Sequence, residues 1–172
     1  MSVPNRIFRK ATLADIPAMM DIIHDAQKAL RSQGVDQWQN GYPNEAQLEK
    51  DIAADGACIL LENDLVIATM ALLPGPDPTY GWINGAWLAD TPYFVIHRLA
   101  VRSDFKGSGV AARMLCEAEA ICQIAGLSSI RVDTHHDNKP MQRFLHKNGF
   151  TPCGDIRLAD GAPRIAFEKL LP

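Results

Sequence analysis

Residues 93–135, YFVIHRLAVRSDFKGSGVAARMLCEAEAICQIAGLSSIRVDTH, constrain the fold more than any other part of the chain. An apolar strand, Tyr93 to Val101, runs through a short connector into the glycine pair Gly107 and Gly109. A helix follows, with Val110, Met114, Leu115, Ala118, Ile121, Cys122 and Ala125 on one apolar stripe and Gly126 as its stop. SSIRVDTH then reads as the next strand.

The flanking segments alternate between the same two periods. Ile7 to Ala11 reads as a first strand, and Thr12 with Asp15 forms a T-x-x-D capping box. Ile16, Met19, Met20, Ile23, Ala26 and Leu30 recur at helical spacing, so that helix presents one face to a core. Asn44 caps a second, short helix carrying Leu48 and Ile52. ACILLENDLVIATMALL is a hairpin about Glu62, Asn63 and Asp64, and a second hairpin closes the chain at Asp160 and Gly161. Between Asn138 and Gly149 lies one more helix. PGPDPTYGWINGAWLAD is expected to be a long loop, of a length usually tied to function. Strands and helices in this order make a mixed α/β domain, and residues 1–172 are expected to form a single one.

Two chemistries compete for the stretch DFKGSGVAA. Gly107, Gly109 and Ala112 spell G-x-G-x-x-A, a form of the dinucleotide fingerprint, and Asp133 lies 26 residues beyond Gly107 where a ribose-binding acid belongs. Against that reading, the connector RSDFK separates Val101 from the glycines, and only about 40 residues follow Asp133, ending in a hairpin rather than a crossover. A bare strand-to-helix turn is the plainest alternative, since a lone G-x-G is weak evidence. A pyrophosphate cradle for coenzyme A is the third.

Composition narrows the field. With 47% hydrophobic and 22% charged residues in 172, the chain is an ordinary soluble globular protein. A net charge of −3 and no basic tract argue against nucleic acid or a membrane surface as partner. MSVPNRIFRK has no apolar run long enough for a signal peptide, and Leu65 to Leu73 is strand length, so a cytoplasmic location is expected. Cys58, Cys116, Cys122 and Cys153 show no C-x-x-C spacing and read as reduced, mostly buried thiols, with no metal expected.

YFVIHRLAVRSDFKGSGVAARML resembles the core motif of the Gcn5-related N-acetyltransferase (GNAT) superfamily: a strand ending L-A-V, a connector, then Q/R-x-x-G-x-G/A opening a helix. NKPMQRFLHKNGF, Asn138 to Phe150, is similar to the family's second motif, N-x-x-A-x-x-x-Y-x-x-x-G-F. The element order fits as well, so the resemblance spans essentially the whole chain. It implies a central mixed, mostly antiparallel sheet flanked by helices, and an N-acetyltransferase using acetyl-CoA. Two positions depart from the pattern. Asp104 stands where Gln or Arg is usual, and Leu145 where many members carry the tyrosine thought to protonate the departing thiolate.

The resemblance assigns roles that the residues can bear. Amides of Lys106, Gly107, Ser108, Gly109, Val110 and Ala111, at a helix start, would meet the pyrophosphate with unpaired donors and a positive dipole end. Lys106 adds charge there or is a solvated surface lysine. The backbone of Leu99, Ala100 and Val101 would pair with the pantetheine arm and hold the oxyanion, where their strand and that of Val132 splay apart. Asn138 would reach the cofactor, cap the following helix, or both.

Transfer to an amine needs a base, because a lysine-like ammonium has a pKa of about 10.4. His97 is the first candidate, although a lone histidine in an apolar strand is commonly a hydrogen-bonded core residue. Asp133 and His135 follow; Asp133 is expected to pair with a nearby arginine, and His135 and His136 face opposite ways in extended chain. Trp38, Tyr42, Trp82 and Trp87 either wall an acceptor pocket or pack their loops down. No cysteine is set as a nucleophile, so direct attack in a ternary complex is expected. The acceptor is a small-molecule or peptide amine of unassigned identity. A homodimer is one assembly the family resemblance brings with it. A non-catalytic acyl-CoA-binding or sensor module remains the alternative, with a nicotinamide-dinucleotide-binding protein behind it.

Overall fold

The computed structural model describes residues 4–172. Among these residues, eight strands are hydrogen-bonded in the order β1-β2-β3-β5-β6-β8-β7-β4, where β1 is Arg6–Lys10, β2 Ala57–Glu62, β3 Leu65–Pro74, β4 Asn84–Gly85, β5 Phe94–Val101, β6 Ser129–Thr134, β7 Thr151–Arg157 and β8 Pro163–Leu170. β5 and β6 pair in parallel, while β1–β2, β2–β3, β4–β7, β6–β8 and β7–β8 pair antiparallel. The sheet is therefore mixed and mostly antiparallel, as the family resemblance implies. Among the described residues, four α-helices accompany it: α1 Ile16–Ser32, α2 Glu45–Ala53, α3 Val110–Ile124 and α4 Lys139–Lys147.

The chain divides into two compact units, Met1–Leu73 with Arg98–Glu117 and Pro74–His97 with Ala118–Pro172. In the first, Ile16, Met19, Ile23, Leu48, Ile59 and Ala100 share one buried apolar cluster. The capping box forms as expected: the Thr12 amide donates to Asp15 Oδ2 at 2.7 Å, opening a single 3-10 turn that runs into α1. Asn44 Oδ1 accepts from the Gln47 amide at 3.0 Å and starts α2. Asn63 and Asp64 adopt φ of 48° and 67°, the left-handed pair that a two-residue hairpin turn requires.

In the second unit, Tyr80, Val95, Ile156 and Ala166 form one buried apolar cluster. The segment expected to be a plain loop is more structured than that. Pro78–Tyr80 is a 3-10 turn, and Asn84–Gly85 pairs with Asp155 and Gly154 of β7. Glycine is what allows this approach: a Cβ on Gly85 would lie 2.1 Å from the Cys153 carbonyl oxygen. A two-residue strand has no alternation to read, which is why the sequence conceals it. A smaller correction falls on α3, which ends at Ile124 and leaves Ala125 exposed rather than on the apolar stripe.

Candidate active site

In the first unit, the chain leaves β5 and the Arg102 amide donates to the Ile67 carbonyl at 2.9 Å. Ser103–Phe105 then makes one 3-10 turn, within which Arg102 Nε meets Asp104 Oδ1 at 2.8 Å. That ion pair is the local role of the family-atypical Asp104. Gly107 and Gly109 follow at φ of 78° and 80°, a region that penalises any side chain with a Cβ. A Cβ built on either glycine would meet nothing within 4 Å, so this face of the loop opens onto free space. α3 begins with the Arg113 amide bonded to the Gly109 carbonyl at 3.0 Å, so the amides of Val110, Ala111 and Ala112 precede its first helical bond.

The expectation that every amide from Lys106 to Ala111 is unpaired needs correcting. The Lys106 amide donates to Ser103 and the Ser108 amide to Phe105, each at 3.3 Å, because the 3-10 turn supplies carbonyls three residues back. The Lys106 and Ser108 side chains are exposed, whereas Val110 is buried and anchors the start of the helix. Upstream, Ala100 is buried in the first core while Leu99 and Val101 are half-buried.

One residue before Leu99, the strand carries a feature the sequence did not reveal. Arg98 has a φ of 54° and donates through Nε and Nη2 to both carboxylate oxygens of Asp51, at 2.6 Å each. Its Nη1 donates to Tyr42 Oη, also at 2.6 Å. Both charged side chains are buried, so the pair fixes β5 where it departs from extended geometry.

In the second unit, His97 joins a polar cluster. Its Nε2 lies 2.9 Å from Asp77 Oδ2. Asp77 Oδ1 accepts from the Thr79 amide at 2.8 Å and from Thr79 Oγ1 at 2.6 Å, and the Asp77 amide donates to Tyr93 Oη at 3.0 Å. Burial opposes ionisation of Asp77, but the hydrogen bonds from His97 and Thr79 outweigh it and hold its carboxyl down at about 2. Tyr80 Oη donates to Asp133 Oδ2 at 2.7 Å. Asp133 thus has a tyrosine as its hydrogen-bond partner instead of the expected arginine. Burial pushes Asp133 up, against the Tyr80 hydrogen bond and the charges of His97 and Arg164, and it pushes the Tyr80 phenol well above its ordinary range.

The other candidates have local partners of their own. His135 Nδ1 accepts from the Asp137 amide at 3.0 Å, and His136 Nε2 lies 3.0 Å from Asp155 Oδ1. Asn138 Oδ1 caps α4 by accepting from the Met141 amide at 3.2 Å. Leu145 is fully buried at 0% exposure.

Each of the four loop aromatics has local partners within its own unit. Trp38 packs against the first core, and Tyr42 holds Arg98. Trp82 is exposed beside Arg157. Trp87 and Tyr93 sandwich the Arg131 guanidinium at 4.1 Å and 3.9 Å, with Arg131 Nη2 on the Ala89 carbonyl at 2.7 Å and Nε on Glu168 Oε1 at 3.1 Å. A cavity of about 440 Å³ lies beside them, bordered by Tyr80, Trp87 and Asp90. No helix among the described residues is long and apolar enough to cross a membrane.

A glycine turn at positive φ thus lies behind β5 and ahead of α3. Residues 20–150 match the model of the acetyltransferase (GNAT) family, and the chain belongs to that family. It is 32% identical to an acetyltransferase of the GNAT family from Streptococcus agalactiae 2603, whose crystal structure superposes with a TM-score of 0.88 over 97% of this chain and 96% of that one. The uncharacterized N-acetyltransferase YesJ of Bacillus subtilis (strain 168) is 25% identical over 163 residues, 92% of this chain and 87% of its own length. The fold is shared with the PaiA N-acetyltransferase of Thermoplasma acidophilum, solved in complex with coenzyme A, at a TM-score of 0.72 and 16% identity over 96% of this chain and 99% of that one.

The glycine loop and His97 stand out in the sequence, whereas Asp77, Tyr80, Asp51 and Arg98 do not. Asp77-Pro78-Thr79 did carry a signal, since an Asx residue before proline is a turn start with a side-chain acceptor.

Proposed function

We propose that this protein transfers the acetyl group of acetyl-CoA to a primary amine by direct attack. The observation carrying the reading is the loop ahead of α3: two glycines at positive φ, open space on their Cβ side, and amides at a helix start with no intrahelical partner. These features fit a pyrophosphate. Gly107, Gly109, Val110 and Ala111 would hold it through their amides, with the exposed Lys106 supplying charge and Ser108 a hydroxyl. The backbone of Leu99, Ala100 and Val101 would receive the arm that follows. When bound, acetyl-CoA supplies the activated thioester.

The protein's own chemistry is then removal of a proton from the acceptor amine. We take His97 as that base: it lies on β5, half-buried, with a ring nitrogen held by a carboxylate. Thiol release from acetyl-CoA across a panel of small amines and peptide N-termini tests the activity. Release that depends on both acetyl-CoA and an amine is the expected result.

One observation favours a second reading, a non-catalytic acyl-CoA-binding module. Leu145, where many family members have tyrosine, is buried and apolar and can protonate nothing. Coenzyme A binding without turnover of any amine would select that reading.

A further inference from the structure

We propose that Asp77 is the positioning residue for His97, holding the ring proton on Nε2 so that Nδ1 presents the lone pair that accepts the amine proton. This rests on the reading of His97 as the base, and it adds the atom that acts and the residue that sets it.

Asp77 is immobilised from three directions. Oδ1 receives the Thr79 amide and the Thr79 hydroxyl, at 2.8 Å and 2.6 Å. The Asp77 amide is tied to Tyr93 Oη at 3.0 Å, and Pro78 sets the first position of the following turn. With Oδ1 occupied, Oδ2 is the oxygen left to face His97 Nε2, at 2.9 Å. An ionised carboxylate only accepts hydrogen bonds, so Nε2 must carry the proton and the neutral ring keeps its lone pair on Nδ1. When Nδ1 takes the proton, the electron pair that held it stays on the amine nitrogen. The resulting imidazolium charge is balanced by Asp77.

The surroundings leave that assignment to Asp77. The Tyr80 ring sits 6.4 Å from the His97 ring, but its hydroxyl is committed to Asp133 Oδ2. Tyr93 Oη is engaged by the Asp77 amide. The Asp133 carboxyl also feels Arg164, whose charge lowers it, and Asp77, whose charge raises it along with burial.

The discriminating variant is Asp77→Asn. The two Thr79 donors select the amide oxygen of the new side chain, which turns its NH2 group toward Nε2. Nε2 must then accept, and the proton moves to Nδ1. Imidazole ¹⁵N spectra of the intact protein, above the pH of ring protonation, read the tautomer directly. The wild type is expected to show His97 protonated on Nε2, and Asp77→Asn to show it on Nδ1. The turnover number is expected to fall about 100-fold or more, the range of a lost general base, with the coenzyme A dissociation constant unchanged.

A wild-type ring protonated on Nδ1 overturns the proposal, and that measurement holds even if the variant fails to fold. Asp77→Asn within about 2-fold of wild-type turnover, while His97→Ala is inactive, overturns it as well. Full activity of His97→Ala instead defeats the base assignment, and the tautomer still decides whether Asp77 positions the ring.

Discussion

Arg98 and Asp51 are joined by two hydrogen bonds of 2.6 Å between side chains that are only 7% and 3% exposed. The pair holds a left-handed residue in the interior of β5, where a non-glycine φ of 54° costs on the order of 1–2 kcal/mol. Two charges taken out of water must satisfy each other, and removing one strands the other. Asp51→Ala is therefore expected to destabilise the protein by about 3–5 kcal/mol in urea unfolding. A loss below about 1 kcal/mol would show that β5 keeps its geometry without the pair.

Acid should act through two carboxylates with a common sign. Asp15, paired with Arg9 and bonded to the Thr12 amide, is held at about 2, as is Asp77. Both folded values lie below the unfolded value of about 3.9, so their contribution is complete above that pH and is lost as pH falls toward 2. Asp133 has the opposite sign. Burial raises it, so it disfavours the fold as pH rises through its folded value. Urea midpoints measured from pH 5 to pH 2 should fall, and Asp15→Asn should flatten the fall; an unchanged slope would contradict the Asp15 assignment.

Restoring the family's tyrosine should not restore an acid. Leu145 is completely buried, so Leu145→Tyr forces a larger, polar side chain into a filled site. A loss of about 1–3 kcal/mol is expected, with no gain in turnover. A rise in turnover would mean the position reaches the reacting atoms.

What could be read from the sequence was mostly local. The N-caps at Asn44 and Asn138, the Thr12 capping box and the Asn63-Asp64 turn are short-range geometry, and each forms as its residues imply. The glycine loop was legible for the same reason: positive φ and a helix start lie within a few residues. The long-range chemistry was not. Asp51 and Arg98 are 47 residues apart, Asp77 and His97 are 20 apart, and Tyr80 and Asp133 are 53 apart. Only the fold brings such partners together. The β4 pairing also escaped notice, because close approach of Gly85 to β7 leaves no side-chain pattern.

Gly107→Val tests the loop's conformation apart from its ligand. At a φ of 78° a β-branched side chain is strained although the space around it is open. A stability loss on the order of 1–2 kcal/mol is expected from the backbone alone. No loss by thermal or urea unfolding would mean that the turn relaxes freely and is not held as described.

The proposed cradle for the pyrophosphate of coenzyme A is the loop from Lys106 to Ala111. Calorimetric titration of the wild type and of Gly109→Trp with coenzyme A, acetyl-CoA and NAD tests it most directly. Gly109 opens onto free space, so the indole fills the cradle and not the core. Binding of coenzyme A and acetyl-CoA but not NAD to the wild type, with a loss of at least about 100-fold in the folded variant, is the predicted result. Unchanged coenzyme A affinity in Gly109→Trp, or binding of NAD without coenzyme A, would contradict it.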